Sequence, residues 1–149
     1  MRFADDAALQ AHLRGLLEAT LPKDRWTHEG HVAATAALIL LRPDIVPERD
    51  LRRLIMRLND SHGVPNSDTR GYHETITRAF LAAIRDALSK DDATLPGHAR
   101  VNALLDGGVV GAGKRWLAHS WSDAVLFSVA ARRGWVEPDL APPPYPIGG

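Results

Sequence analysis

The stretch Trp26-Thr-His-Glu-Gly-His-Val-Ala-Ala-Thr-Ala-Ala-Leu-Ile-Leu-Leu41 decides the fold class. Thr27 predicts an N-cap, because its hydroxyl can accept one of the backbone N–H groups that a starting helix leaves without a partner. His28 is then the first helical residue, Glu29 the second and His31 the fourth. Glu29 falls where the helix dipole favours a carboxylate. His28 and His31 are three apart and share one face. Val32, Thr35, Leu38 and Ile39 continue that face as a core-directed stripe. A helix N-terminus disfavours imidazolium, so both rings are expected to be neutral and able to bind a metal. A competing reading pairs His31 with Trp26 as a hydrophobic staple, the residue before the cap against the fourth helical one.

Composition narrows the function classes. At 149 residues the chain is long enough for one domain with an adequate core. Eighteen Lys+Arg balance eighteen Asp+Glu, which argues against a broad basic nucleic-acid surface. The absence of cysteine removes disulfides, zinc ribbons, iron–sulfur clusters and thiol nucleophiles. A transition metal would have to use histidine, carboxylate or water. No apolar run approaches transmembrane length, and Met1-Arg-Phe-Ala-Asp-Asp6 is no signal peptide. The expectation is a cytoplasmic protein without membrane contact.

Outward from the central helix, Asp5 or Asp6 predicts the cap of a first helix over 6–19, with Leu9, Leu13, Leu16 and Leu17 buried and His12 half-exposed at the edge of their stripe. Leu21 to Arg25 reads as a connector. Arg42-Pro43 ends the central helix. Pro47 opens a third, whose apolar face is Leu51, Leu54, Ile55 and Leu58. His62 falls on that face in a structural, capping position, and Gly63 follows as its C′ residue. Asn59 and Asp60 lie at the same end. Residues 64–71 form a polar loop of turn formers, and a fourth helix is expected over 72–89. His73, Ile76, Thr77, Phe80, Ile84 and Leu88 share one of its faces. A short helix after Leu95-Pro-Gly97 ends at Gly107-Gly108, with His98 solvated. A last helix runs from the cap Ser120 over Ala124 to Arg132, with Asp123 as the cap's partner. The remaining stretch, 138–149, has five prolines and is expected to be an extended tail. No stretch alternates convincingly enough for a strand. The fold class expected is all-α, a single-domain bundle of five or six helices over 1–137.

Four constellations could carry chemistry. His28, His31 and His73 would bring three neutral imidazoles from two helices to one transition-metal ion: zinc, copper or iron, with nickel also able to use such ligands. Glu74 would be a general base or a group orienting a ligand, or else a capping residue at the third helical position after Gly71. Tyr72 would be a proton donor or a wall of the pocket, and His119 a reserve ligand. Gly108-Val-Val-Gly111-Ala-Gly113-Lys114 satisfies part of a phosphate loop, but Arg115 stands where a Ser or Thr must hold magnesium, so a flexible connector is expected instead. His31, with Asn59-Asp60 ending another helix, resembles the layout of HD-type phosphohydrolases, with Asn59 replacing the defining histidine. Without cysteine or a serine in a strand–elbow context there is no nucleophilic triad.

Taken together, Thr27-His-Glu-Gly-His31, Asn59, Gly63-Val64, Gly71-Tyr-His-Glu-Thr75 with Thr77, Ala131-Arg132 and Val136-Glu-Pro-Asp-Leu140 resemble a family of small, largely uncharacterised bacterial proteins. These carry T-H-x-x-H and Y-H-E-T segments and a terminal V-x-P-D-L. The resemblance covers most of Trp26 to Leu140. It implies a helical fold and directs attention to His28, His31, His73 and Glu74. At the level of fold alone the chain is also similar to DinB-like metal-binding bundles. The function expected is a metal-dependent hydrolase, lyase or oxygenase acting on a small molecule at the N-terminal ends of the second and fourth helices. The alternatives are a metal-free helical ligand-binding or interaction module with structural histidines, and a divergent HD-type phosphohydrolase.

Overall fold

The computed structural model describes residues 1–111 and 113–144. The long helices are α1 (Asp6–Leu17), α2 (His28–Leu41), α3 (Pro47–Ser61), α4 (Glu74–Lys90) and α5 (Gly97–Asp106). Short helical segments follow: α6 (Gly108–Gly111), α7 (Leu117–Ser120), α8 (Asp123–Leu126) and α9 (Val129–Arg133). A 3-10 turn over Lys23–Arg25 leads into α2. No strand occurs among the described residues.

α2 is the helix around which the others assemble. It packs against α1, α3, α4 and α5. The sequence pattern suggested one core-directed stripe, but Ala33, Ala34, Ala36, Ala37 and Leu38 are all completely buried, so the helix is enclosed on nearly every side. Alanine is what permits this, since its short side chain lets neighbouring helices approach closely. Thr27 caps α2, its hydroxyl accepting from the Gly30 N–H at 3.1 Å. Gly30 admits the incoming connector: a Cβ there would lie 2.1 Å from the Arg25 carbonyl oxygen.

Local signals place the other long helices well. Asp5 caps α1 by accepting from Ala8 N–H. Pro47 is the first residue of α3, and Gly63, with φ of +73°, follows its C-cap His62. The end of the chain departs from expectation. In place of one helix from Ser120 there are two short ones, because Ser122 caps α8 through Val125 N–H and Ser128 caps α9 through Ala131 N–H. Each serine offers the backbone a fresh start, and the helix breaks between them. Asp139 then accepts from both the N–H and the hydroxyl of Ser122, and Leu140 N–H donates to the Ser120 carbonyl. The expected tail is thus tied down at its beginning, and residues 145–149 lie outside the described residues.

Candidate functional site

A cavity of about 170 Å³ lies between α2, α3 and α4. Val32 from α2, Ile55 from α3, and Ile76, Phe80, Leu81 and Ile84 from α4 supply its apolar wall. His28, His31, Tyr72 and His73 line it as well, so these four of the residues singled out from sequence share one space. Lys114, from the turn between α6 and α7, completes the lining.

The three histidines are engaged in three different ways. The His73 ring is the N-cap of α4: its Nδ1 accepts from the Ile76 N–H at 3.1 Å. An imidazole Nδ1 sits as many bonds from the backbone as the side-chain oxygen of Asp or Asn, so it can replace them at a cap. The opposite nitrogen, Nε2, donates to the Leu126 carbonyl at 2.7 Å. Both nitrogens are therefore used and the tautomer is fixed. The His31 ring is stacked on Trp26, the staple arrangement. His28 meets the Phe80 ring edge to face, with centroids 4.9 Å apart, and Phe80 in turn meets Trp116. His28 Nε2 is buried and has no hydrogen-bond partner.

This geometry overturns the metal-dependent reading. Among the described residues no group of three or more histidines and carboxylates is placed to hold a metal ion. His73 has no lone pair to offer while it caps α4, which leaves His28 and His31 short of a third ligand. The set of His28, His31 and His73 as ligands for one zinc, copper or iron ion does not assemble, and the metal-dependent hydrolase, lyase or oxygenase falls with it. The HD-type alternative meets the same difficulty: Asp60 accepts from Asn66 Nδ2, and Asn59 is held between Trp26 and Asn66.

Burial lowers the pKa of His28, His31 and His73, and Lys114 adds to the effect on each ring. For His31 burial dominates, followed by Lys114, His28 and His12, and the value is pushed down to about 3. All three rings are neutral at neutral pH.

Glu74 does not line the cavity. It is the first residue of α4, since the cap is His73 and not Gly71. Its carboxylate accepts from Tyr72 Oη at 2.5 Å and pairs with Arg78 at 2.9 Å, with Arg52 at 3.8 Å. Desolvation raises the pKa of Tyr72, and the hydrogen bond to Glu74 raises it further. Tyr72 thus presents its ring to the cavity while its hydroxyl is committed to Glu74.

Other histidines take structural positions. His12 is 2% exposed, not half-exposed, because its Nε2 donates to the Gly30 carbonyl at 2.9 Å and its ring packs against Phe3. His62 Nε2 donates to the Leu21 carbonyl at 2.7 Å. His98 is paired with Asp6 at 2.6 Å. His119 is exposed and stands off the cavity. Two residues escaped the sequence reading. Asn66 accepts from Tyr72 N–H and from Asn59, and so shapes the loop that delivers Tyr72. Lys114 figured only as the end of a phosphate-loop pattern that includes Ala112, a residue outside the described ones. The segment before that pattern is helix α5, and no strand precedes it among the described residues.

Comparison with family models, with curated proteins and with solved structures finds no match to this chain.

Proposed function

We propose that this protein binds a small organic molecule in the cavity between α2, α3 and α4, using its own side chains for recognition. The observation that carries the reading is the cavity itself: walled by apolar side chains of α2, α3 and α4, with the His28 imidazole, which has no hydrogen-bond partner, in its lining. Leaving a buried donor or acceptor unsatisfied costs about 1–3 kcal/mol, and a ligand supplying the missing hydrogen bond would recover part of it. The size is also telling. An apolar cavity of about 150 Å³ accommodates benzene, so about 170 Å³ suits a compact ligand such as a substituted ring or a short chain.

The test is nitrogen–proton NMR with toluene, phenol, indole and benzoate as probes. Saturable shifts are expected at Val32, Phe80 and Ile84. Ile84→Phe, which fills the space, should abolish them while its circular dichroism stays helical. If no probe moves these resonances, or if the filled variant binds equally well, the cavity is not a binding site.

A further inference from the structure

Formal charge around the cavity is one-sided. Among the described residues no aspartate or glutamate lines it, and the only lining residue with a formal charge at neutral pH is Lys114. Elsewhere the basic side chains are commonly matched: Arg42, Arg49, Arg85, Arg100 and Arg133 each pair with a carboxylate. Lys114 has no ion pair among the described residues. It is exposed, so its ammonium marks the mouth of the cavity rather than the floor.

The polar groups deeper in are mostly spoken for. Thr35 Oγ1 donates to the His31 carbonyl. Asn59 joins Trp26 to Asn66. Tyr72 Oη donates to Glu74, and both His73 nitrogens are bonded. Beside the His31 ring, what remains open is the His28 imidazole together with Lys114. The two line the same cavity. A neutral imidazole can donate one N–H, and an ammonium donates up to three. Two donors, one of them charged, call for an acceptor with two oxygens and a negative charge.

We propose that the ligand of this cavity is a small carboxylic acid with an apolar body, its carboxylate shared between Lys114 and His28 and its body lying on Val32, Phe80 and Ile84. This rests on the reading that the cavity binds a small molecule, and narrows it to a chemical class. A cationic ligand would face Lys114 with no counter-charge in the lining. A neutral ligand would leave the ammonium unused.

The experiment uses three probes of nearly the same shape and different charge: benzoate, benzamide and benzamidine. Hexanoate and hexanamide repeat the comparison for a chain. Titration calorimetry on the full chain at low salt should show the carboxylates binding at least about tenfold tighter than the amides, as a charge-assisted hydrogen bond implies, and benzamidine not binding. Raising the salt should weaken the carboxylates selectively. Lys114→Gln should bring benzoate down to the level of benzamide, whereas Lys23→Gln, a change at an exposed lysine outside the cavity, should keep the wild-type preference. If amide and acid bind alike, if benzamidine is preferred, or if Lys114→Gln retains the carboxylate preference, the carboxylate assignment is overturned and the binding cavity stands. If none of the five probes, nor toluene, binds, both readings are overturned together.

Discussion

The imidazole of His31 lies flat against the indole of Trp26, with ring centroids 3.5 Å apart and the planes 21° from parallel. The contact spans the capping residue Thr27 and fixes the angle at which the chain enters α2. It also sets the acid response of the protein. Burial, with Lys114, His28 and His12 adding to it, holds His31 down to about 3 from an ordinary value of 6.5.

In the unfolded chain His31 takes up a proton near pH 6.5, whereas in the folded protein it resists until about pH 3. The unfolded state therefore binds more protons within that window, and stability falls as the pH drops through it. Above the upper limit His31 contributes no slope. His12, His28 and His73 are shifted the same way and add to the loss. Urea midpoints measured from pH 7.5 to 4.5 should decline, and His31→Phe, which can stack on Trp26 without titrating, should decline less steeply. Parallel slopes would remove His31 as a source of the acid sensitivity.

His73 is expected to behave as a cap and a tether. His73→Ala loses the cap on Ile76 N–H, worth about 1 kcal/mol, and leaves the buried Leu126 carbonyl unpaired, at about 1–3 kcal/mol more. His73→Asn keeps a capping oxygen but cannot reach Leu126. Urea denaturation should rank the wild type above Asn and Asn above Ala. An alanine variant as stable as the wild type would show that neither bond matters.

Gly71 and Gly63 both have positive φ, +82° and +73°, yet they should tolerate alanine differently. At Gly63 a Cβ meets nothing within 4 Å, so Gly63→Ala bears only the left-handed backbone cost of about 1–2 kcal/mol. At Gly71 a Cβ would come within 2.4 Å of the Pro65 carbonyl oxygen and 2.8 Å of Asn66 Oδ1. Gly71→Ala must also displace the loop that carries Tyr72. Melting temperatures should show the larger drop at Gly71, and equal drops would mean that the loop yields freely.

What could be read from the sequence was what neighbouring residues decide among themselves. The Thr27 cap, the Pro47 start of α3 and the Gly63 stop depend on spacings of a few residues, and all three hold in the structure. The all-helical character follows from the same local patterns. Helical spacing puts His73 on the inward face of the fourth helix, but the partners of its ring are Ile76 nearby and Leu126, 53 residues on. That distant partner takes away the nitrogen that a metal would need. The same spacing puts His12 at a half-exposed edge, whereas its bond to the Gly30 carbonyl, 18 residues on, draws it into the interior. Lys114 shares a cavity lining with His28, 86 residues before it, which no spacing announces. The break at Phe127 reflects two serines competing to cap, a contest that helical periodicity does not register.

Thr75 offers a test of the return of the chain onto α4. It is completely buried, its hydroxyl donating to the Gly134 carbonyl at 2.8 Å and accepting from Val136 N–H at 3.2 Å. Thr75→Val keeps the shape and loses both bonds, at an expected cost of about 1–3 kcal/mol. Hydrogen exchange at Val136 should accelerate in the variant. Unchanged exchange would mean that the segment after Gly134 is held by other contacts.

The bonds from Thr75 and His73 to carbonyls 59 and 53 residues downstream also govern when the site comes into being. During synthesis, α1 to α4 leave the ribosome long before Leu126 and Gly134 do. Until those carbonyls arrive, the first turn of α4 has no outer brace, and Lys114 reaches the mouth of the cavity only shortly before them. Pairings this far apart in sequence close slowly, because the intervening loop must be ordered first. The first turn of α4 therefore waits on nearly the last segment to be synthesised, and a chain stopped short of Leu126 would contain most of the cavity's apolar wall without that brace.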